Sequence, residues 1–232
     1  MTDSDRNTVD ALPGEALPWI DDQLARHGTI RSGPPADVRV RSWATVAPIP
    51  TDHGTFWFKA ASHVTAHEIR LYPLLVSEAP DLVLHPVAVD QNRAWMLLPD
   101  GGTSLVHTLH GDDLVDRLVA IMPRYAQMQR DLAPHADVML AHGVSDMRPY
   151  VLPARFDEAL AATTALASGQ DDADAMLRVA ALRPRYLAWC EILAASPFAP
   201  SLDHSDLHAN NILLPGGPKD PAVLYDWGDS GI

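Results

Sequence analysis

A single cysteine, Cys190, leaves the chain without a partner for an internal disulfide, so packing and polar contacts alone have to hold the fold. No uninterrupted apolar run approaches the length that crosses a bilayer. No basic, apolar leader with a cleavage site is visible in Met1-Thr2-Asp3-Ser4-Asp5, and the expected compartment is the cytoplasm. Internal repeats and low-complexity tracts are also missing, which excludes repeat arrays and compositionally biased linkers. Clustered basic residues are lacking too: 17 Lys and Arg stand against 30 Asp and Glu, a net charge of −13. Binding to a nucleic-acid backbone needs a basic surface, so no nucleic-acid partner is expected. The acidity serves solubility and is compatible with cationic substrates without selecting one.

With 47% hydrophobic residues in 232, the chain can bury a sizeable core as one domain or two small lobes. Residues 1–15 are polar and expected to be loose. Ile20, Leu24 and Ala25 have helical spacing over residues 18–27, with Gly28 as the stop. Alternation at Val38-Arg39-Val40-Arg41 and a second β-like run over 55–59, after the Asp52-His53-Gly54 turn, predict a hairpin. A helix over 63–76 and strands over 82–89 and 94–98 follow. Beyond Pro99-Asp100-Gly101-Gly102 the pattern turns helical: 112–132 with a kink at Pro123, 153–167, and 172–195 after Ser168-Gly169-Gln170. The acidic groups Asp112-Asp113 and Asp171-Asp172-Asp174 suit helix starts, where they complement the macrodipole. Trp43, Trp57, Trp95 and Trp189 are expected to pack in the core or between lobes. The expected division is an N-terminal segment and helix over 1–37, a sheet-rich lobe over 38–100 and a helical lobe over 101–232.

The chemistry concentrates late in the chain. His204-Ser205-Asp206-Leu207-His208-Ala209-Asn210-Asn211 has the spacing H-x-D-x-x-x-x-N of a phosphoryl-transfer catalytic loop. Three fixed letters match by chance at roughly one start position in several thousand, taking each residue at about one in twenty. The apolar run Ile212-Leu213-Leu214, the Pro215-Gly216-Gly217 turn and a strand-like Val223-Leu224-Tyr225 ending in Asp226 strengthen the match. Asp206 is placed to accept or orient a hydroxyl proton, and Asn211 and Asp226 offer the hard oxygen atoms that magnesium takes alongside phosphate and water.

These segments, with Leu224-Tyr225-Asp226-Trp227-Gly228, resemble the catalytic and metal-binding motifs of the aminoglycoside phosphotransferase family, a bacterial branch of the protein-kinase-like fold. The resemblance covers residues 38–232. It implies an α+β, two-lobed fold with a small antiparallel-sheet N-lobe and a mainly helical C-lobe. It also implies an ATP- and Mg2+-dependent transfer of phosphate to a hydroxyl of an aminoglycoside, another antibiotic or a metabolite. Asp206 would be the catalytic base, and Asn211 and Asp226 the metal ligands. Lys59, in Phe56-Trp57-Phe58-Lys59-Ala60, would hold the α- and β-phosphates with Glu68 as its ion-pair partner; Glu78 is the competing partner, at the expected helix end. Strand alternation puts Lys59 on the face opposite Phe56 and Phe58.

Met96-Leu97-Leu98-Pro99-Asp100 resembles the interlobe hinge that receives adenine, with the Leu98 carbonyl and the Asp100 N–H as the edge and Pro99, which has no donor, between them. The same residues also suit a plain strand-to-loop turn. Two departures stand out. The expected nucleotide loop, Arg41-Ser42-Trp43-Ala44-Thr45-Val46, has no glycine, so Ser42 or Thr45 hydroxyls would have to replace backbone donors. Family members also continue into further helices beyond the position of Ile232, and without them apolar helix faces are expected to be exposed and to favour self-association. A nonenzymatic nucleotide-binding module is the alternative from another class. A zinc hydrolase using His204, Asp206 and His208 is the third reading.

Overall fold

The computed structural model describes residues 11–232, so residues 1–10 of the expected N-terminal segment lie outside the described residues. The fold is α+β. Helix α1 (Ala16–Arg26) carries Ala16, Ile20 and Leu24, spaced four apart and fully buried, on one stripe. That stripe covers the outer face of an antiparallel sheet formed by β1 (Arg39–Val40), β2 (Ala44–Thr51), β3 (Gly54–Ala61), β4 (Ala88–Asp90) and β5 (Trp95–Pro99) in the order β1-β2-β3-β5-β4.

The register separates the two faces of this sheet. Ala47, Phe58 and Leu97 lie opposite one another and join α1 in the outer core, where Trp19, Phe58 and Trp95 meet edge-on at centroid distances of 5.7–6.0 Å. One residue along, Val46, Lys59 and Met96 form a row on the inner face. Lys59 therefore faces away from Phe58, as alternation predicts.

The expected hairpin is in fact three strands. Residues 44–51, where the alternation predicts no strand, form β2 with Pro48 and Pro50 inside it. β1 pairs only Arg39 with Val46 and Val40 with Thr45, so both prolines fall beyond the stretch that needs donors on that side. A second correction concerns residues 82–89, where only Ala88–Asp90 joins the sheet. Leu82-Val83-Leu84 instead reaches across the molecule: the Leu224 N–H donates to the Leu82 carbonyl at 2.7 Å and the Leu84 N–H to the Leu224 carbonyl at 3.2 Å. Pro86, with no N–H and a restricted preceding residue, breaks the run between the two attachments.

Helix α2 (Ala66–Glu78) packs under the inner face and buries Glu68, Ile69, Leu71, Tyr72 and Leu75. After β5 the chain forms β6 (Thr103–Ser104), α3 (Leu105–Thr108), α4 (Gly111–Leu132), which runs through Pro123, and α5 (Ala136–Ala141). Then come α6 (Leu152–Leu166), α7 (Gln170–Ala180) and α8 (Arg183–Ala194). The single helix expected over 172–195 is thus two, because Pro184 cannot continue a helix but fits its first turn. Asp112-Asp113 and Asp171-Asp172 do open helices, in the first turns of α4 and α7. Strands β7 (Ile212–Leu214) and β8 (Val223–Leu224) complete a second sheet, β6-β7-β8. Leu166 is 84% exposed and Ile192 70% exposed on the α6–α8 side. Among the described residues no helix is long and apolar enough to cross a membrane.

Candidate functional site

The β7–β8 pairing builds the site from its two late motifs. Ile212 lies opposite Leu224, so Asn211 meets Tyr225, and the Tyr225 N–H donates to the Asn211 carbonyl at 3.2 Å. His204 adds a second tie: it is fully buried, packs against Trp227 at a tilt of 46° with centroids 4.5 Å apart, and donates from Nε2 to the Tyr225 carbonyl at 2.9 Å. The loop carrying Asp206 is thereby fastened to the residue before Asp226. Both Ser205 and Asp226 sit at positive φ, 60° and 64°, a backbone cost retained beside each carboxylate.

Asn211, 4% exposed, donates from Nδ2 to the Asp206 carbonyl at 2.9 Å and to Asp206 Oδ2 at 3.1 Å. With its amino group so committed, the amide presents Oδ1 as its acceptor. Asp206 is 44% exposed, and His208 Nε2 lies 3.6 Å from its Oδ2. The N–H of Asn210 donates to His208 Nδ1 at 3.3 Å, which puts the ring proton of the neutral imidazole on Nε2, the atom nearer Asp206.

Lys59 joins three elements. Its Nζ lies 2.9 Å from Glu68 Oε1 and 2.7 Å from Oε2 on α2, and 2.6 Å from Asp226 Oδ1 after β8. Glu68 is fully buried. Burial disfavours the Lys59 ammonium, yet the attraction of Glu68 and then Asp226 outweighs it and holds the lysine above its usual range. Burial pushes the Glu68 carboxyl up, with Lys59 opposing and Asp226 adding to the rise. Glu78, the competing partner, instead faces His135 at 3.8 Å.

Lys59, Glu68 and Asp226 line a cleft of about 620 Å³, within the range of small-molecule sites, whereas Asp206 and Asn211 are not among its lining residues. Leu98 and Asp100 line it as well, and the Asp100 side chain accepts the Gly102 N–H at 3.2 Å. Two expectations need correction. Thr45 pairs with Ala60 on the outer-core face, so its hydroxyl points away from the cleft; Arg39, Arg41 and Trp43 line that wall instead, and Ser42 does not. Trp95 is core and Trp57 packs against the core while lining the cleft, but Trp43 is 52% exposed at the cleft and Trp189 49% exposed under Arg185. The register signal for the arginines was present in the sequence: Arg39 and Arg41 are two apart, hence on one face.

The donor set fits magnesium, since Asn211 and Asp226 offer oxygen atoms and such an ion completes its shell with phosphate and water. It does not fit the zinc reading. His204 uses Nε2 on a backbone carbonyl, and among the described residues no group of three His, Cys, Asp or Glu side chains is arranged to hold a metal.

Tyr125 on α4 supports the loop from behind: its hydroxyl donates to Asp203 Oδ1 at 2.8 Å and accepts the His204 N–H at 2.9 Å. Nothing in the motif flagged it, because its partners lie about eighty positions away. Tyr125→Phe is expected to destabilise the protein by about 1–3 kcal/mol, leaving a buried N–H unpaired, as urea denaturation would read. Unchanged stability would refute the anchoring role.

No protein-family model and no curated protein matches the chain. Solved structures do. The chain is similar to a macrolide 2'-phosphotransferase type I, with TM-score 0.55 and 12% identity over 95% of this chain and 73% of the other. It is similar to the apoenzyme of a macrolide 2'-phosphotransferase from Brachybacterium faecium, with TM-score 0.56 and 19% identity over 94% and 72%. A thermostable mutant of an aminoglycoside phosphotransferase in its apo form gives 0.54 and 14% over 90% and 71%. At these identities the likeness is one of fold, and the fold is the two-lobed, protein-kinase-like one that the motifs imply.

Proposed function

We propose that this chain, built on the fold of antibiotic phosphotransferases, is an ATP- and magnesium-dependent phosphotransferase acting on a hydroxyl of a small molecule. The observation that carries the reading is Lys59 held at once by Glu68 and Asp226. An ammonium fixed between a helix and the metal-binding motif is placed to orient phosphates, and fixed placement is most of what phosphoryl transfer requires. In this reading Lys59 holds the α- and β-phosphates and Glu68 fixes its position. The Leu98 carbonyl and Asp100 N–H meet adenine, and Asn211 and Asp226 hold Mg2+. Magnesium, when bound, offsets the charge on the phosphate oxygens. Asp206 takes the hydroxyl proton as the acceptor oxygen bonds to the γ-phosphorus and the bond to the β-phosphate oxygen breaks, releasing ADP.

The acceptor belongs to the class of aminoglycosides, other antibiotics or hydroxylated metabolites, as the two kinds of antibiotic phosphotransferase sharing this fold support. The test is ADP release with Mg-ATP against a panel of such compounds. A nonenzymatic nucleotide module would be stabilised by Mg-ATP through ligand linkage but would release no ADP in response to any acceptor. Acceptor-stimulated release is the expected result.

A further inference from the structure

The wall opposite the catalytic loop poses a charge problem. Lys59 shares its charge with Glu68 and Asp226 at 2.6–2.9 Å, so alone it does not balance the charge of a phosphate chain. The segment where a glycine-rich loop is expected is short and has no glycine, so it offers few backbone donors. Ser42-Trp43 is a two-residue connection between Arg41 and Ala44, and the Arg41 N–H is already donated to the Ala44 carbonyl at 2.8 Å. The connection is also pinned: the Trp43 carbonyl accepts the Ser62 N–H at 2.8 Å and the Thr65 hydroxyl at 2.6 Å.

Side chains stand where backbone donors are few. Arg39 lies opposite Val46, and Val46 opposite Lys59, so Arg39 and Lys59 stand in one cross-strand row on the cleft face. Two strand spacings separate their Cα atoms by about 10 Å. Arg41, two residues on, shares that face, and Arg39, Arg41 and Lys59 all line the cleft. Tyr225, next to Asp226, senses the same charges: burial and Asp226 push its hydroxyl up, and Lys59 and Arg39 oppose them.

We infer that Arg39 and Arg41 bind the phosphate chain of the nucleotide, replacing the backbone donors of a glycine-rich loop with guanidinium charge. This rests on the nucleotide reading above. Arginine suits the role, since its planar fork pairs with phosphate oxygens in a bidentate fashion.

The experiment is calorimetric titration of the full chain with Mg-ATP, Mg-ADP, AMP and adenosine, comparing wild type with Arg39→Gln, Arg41→Gln and the double variant. Arg39→Lys serves as the charge-conserving control. Each Gln variant is expected to weaken Mg-ATP roughly tenfold and the pair up to about a hundredfold, as for lost charge-assisted hydrogen bonds. The loss should shrink from ATP to AMP and vanish for adenosine, Arg39→Lys should recover part of it, and the variants should lose salt dependence. Wild-type affinity retained in the double variant, or an equal loss for adenosine, overturns the inference. A wild type that binds none of the four overturns the nucleotide reading itself.

Discussion

Asp206→Asn is expected to lower acceptor-dependent ADP release by roughly 10²- to 10⁴-fold, the usual contribution of a positioned base, with Mg-ATP binding unchanged. Asparagine keeps an oxygen that can accept the Asn211 Nδ2 hydrogen bond, 3.1 Å in the wild type, so the loop retains its internal tie. What is removed is the ability to take a proton. Asp226→Ala should behave differently, losing turnover and Mg-nucleotide binding together, because that carboxylate is both the proposed metal ligand and a partner of Lys59 at 2.6 Å. Single-turnover rates and nucleotide titrations on both variants separate these outcomes. Asp206→Asn with near-wild-type turnover would remove the catalytic assignment, whatever happened at Asp226.

Lys59→Met is expected to be the most destabilising substitution in the site. The lysine side chain is 11% exposed and Glu68 fully buried, so its removal strands a carboxylate away from water, an effect that costs about 3–5 kcal/mol for a broken buried pair. The deficit carries a pH signature. Burial already raises the Glu68 pKa, and without Lys59 it rises further. A carboxyl whose folded pKa lies above its unfolded value, about 4.3, binds more protons folded than unfolded between the two. Stability therefore falls as pH rises through that window. Chemical denaturation of the variant should accordingly show a small deficit in acid and the full one at neutral pH. Lys59→Met/Glu68→Leu should regain most of the loss, since an apolar pair of similar volume needs no compensation. A deficit independent of pH, or no recovery in the double variant, would show that Glu68 is not the stranded charge.

Much of the candidate site was legible because its spacings are local. Asp206 and Asn211 are five positions apart in one loop, and the residue types state their chemistry without a fold. Alternation around Lys59 was equally readable, since Phe56, Phe58 and Ala60 follow the pleat. Boundaries were lost where proline carries two meanings. Pro48 and Pro50 lie inside β2, a strand the pattern did not predict, and Pro184, within a long predicted helix, opens α8. Thr45 was assigned to the cleft because β2 went unrecognised, and without that strand there is no register to show that its hydroxyl faces α1.

The sequence by itself determined which groups are available: a carboxylate and amide on one loop, a second carboxylate ending a strand, and a lysine on a pleated run. Only the tertiary structure decided that Lys59, Glu68 and Asp226 share one ion cluster, that His204 and Tyr125 hold the loop in place, and that two arginines face the lysine across the same sheet. The reason is physical. Side-chain chemistry and pleat parity are local properties of a few consecutive residues. Contacts between positions as far apart as 59 and 226 exist only once strand register and buried packing have fixed where each backbone lies.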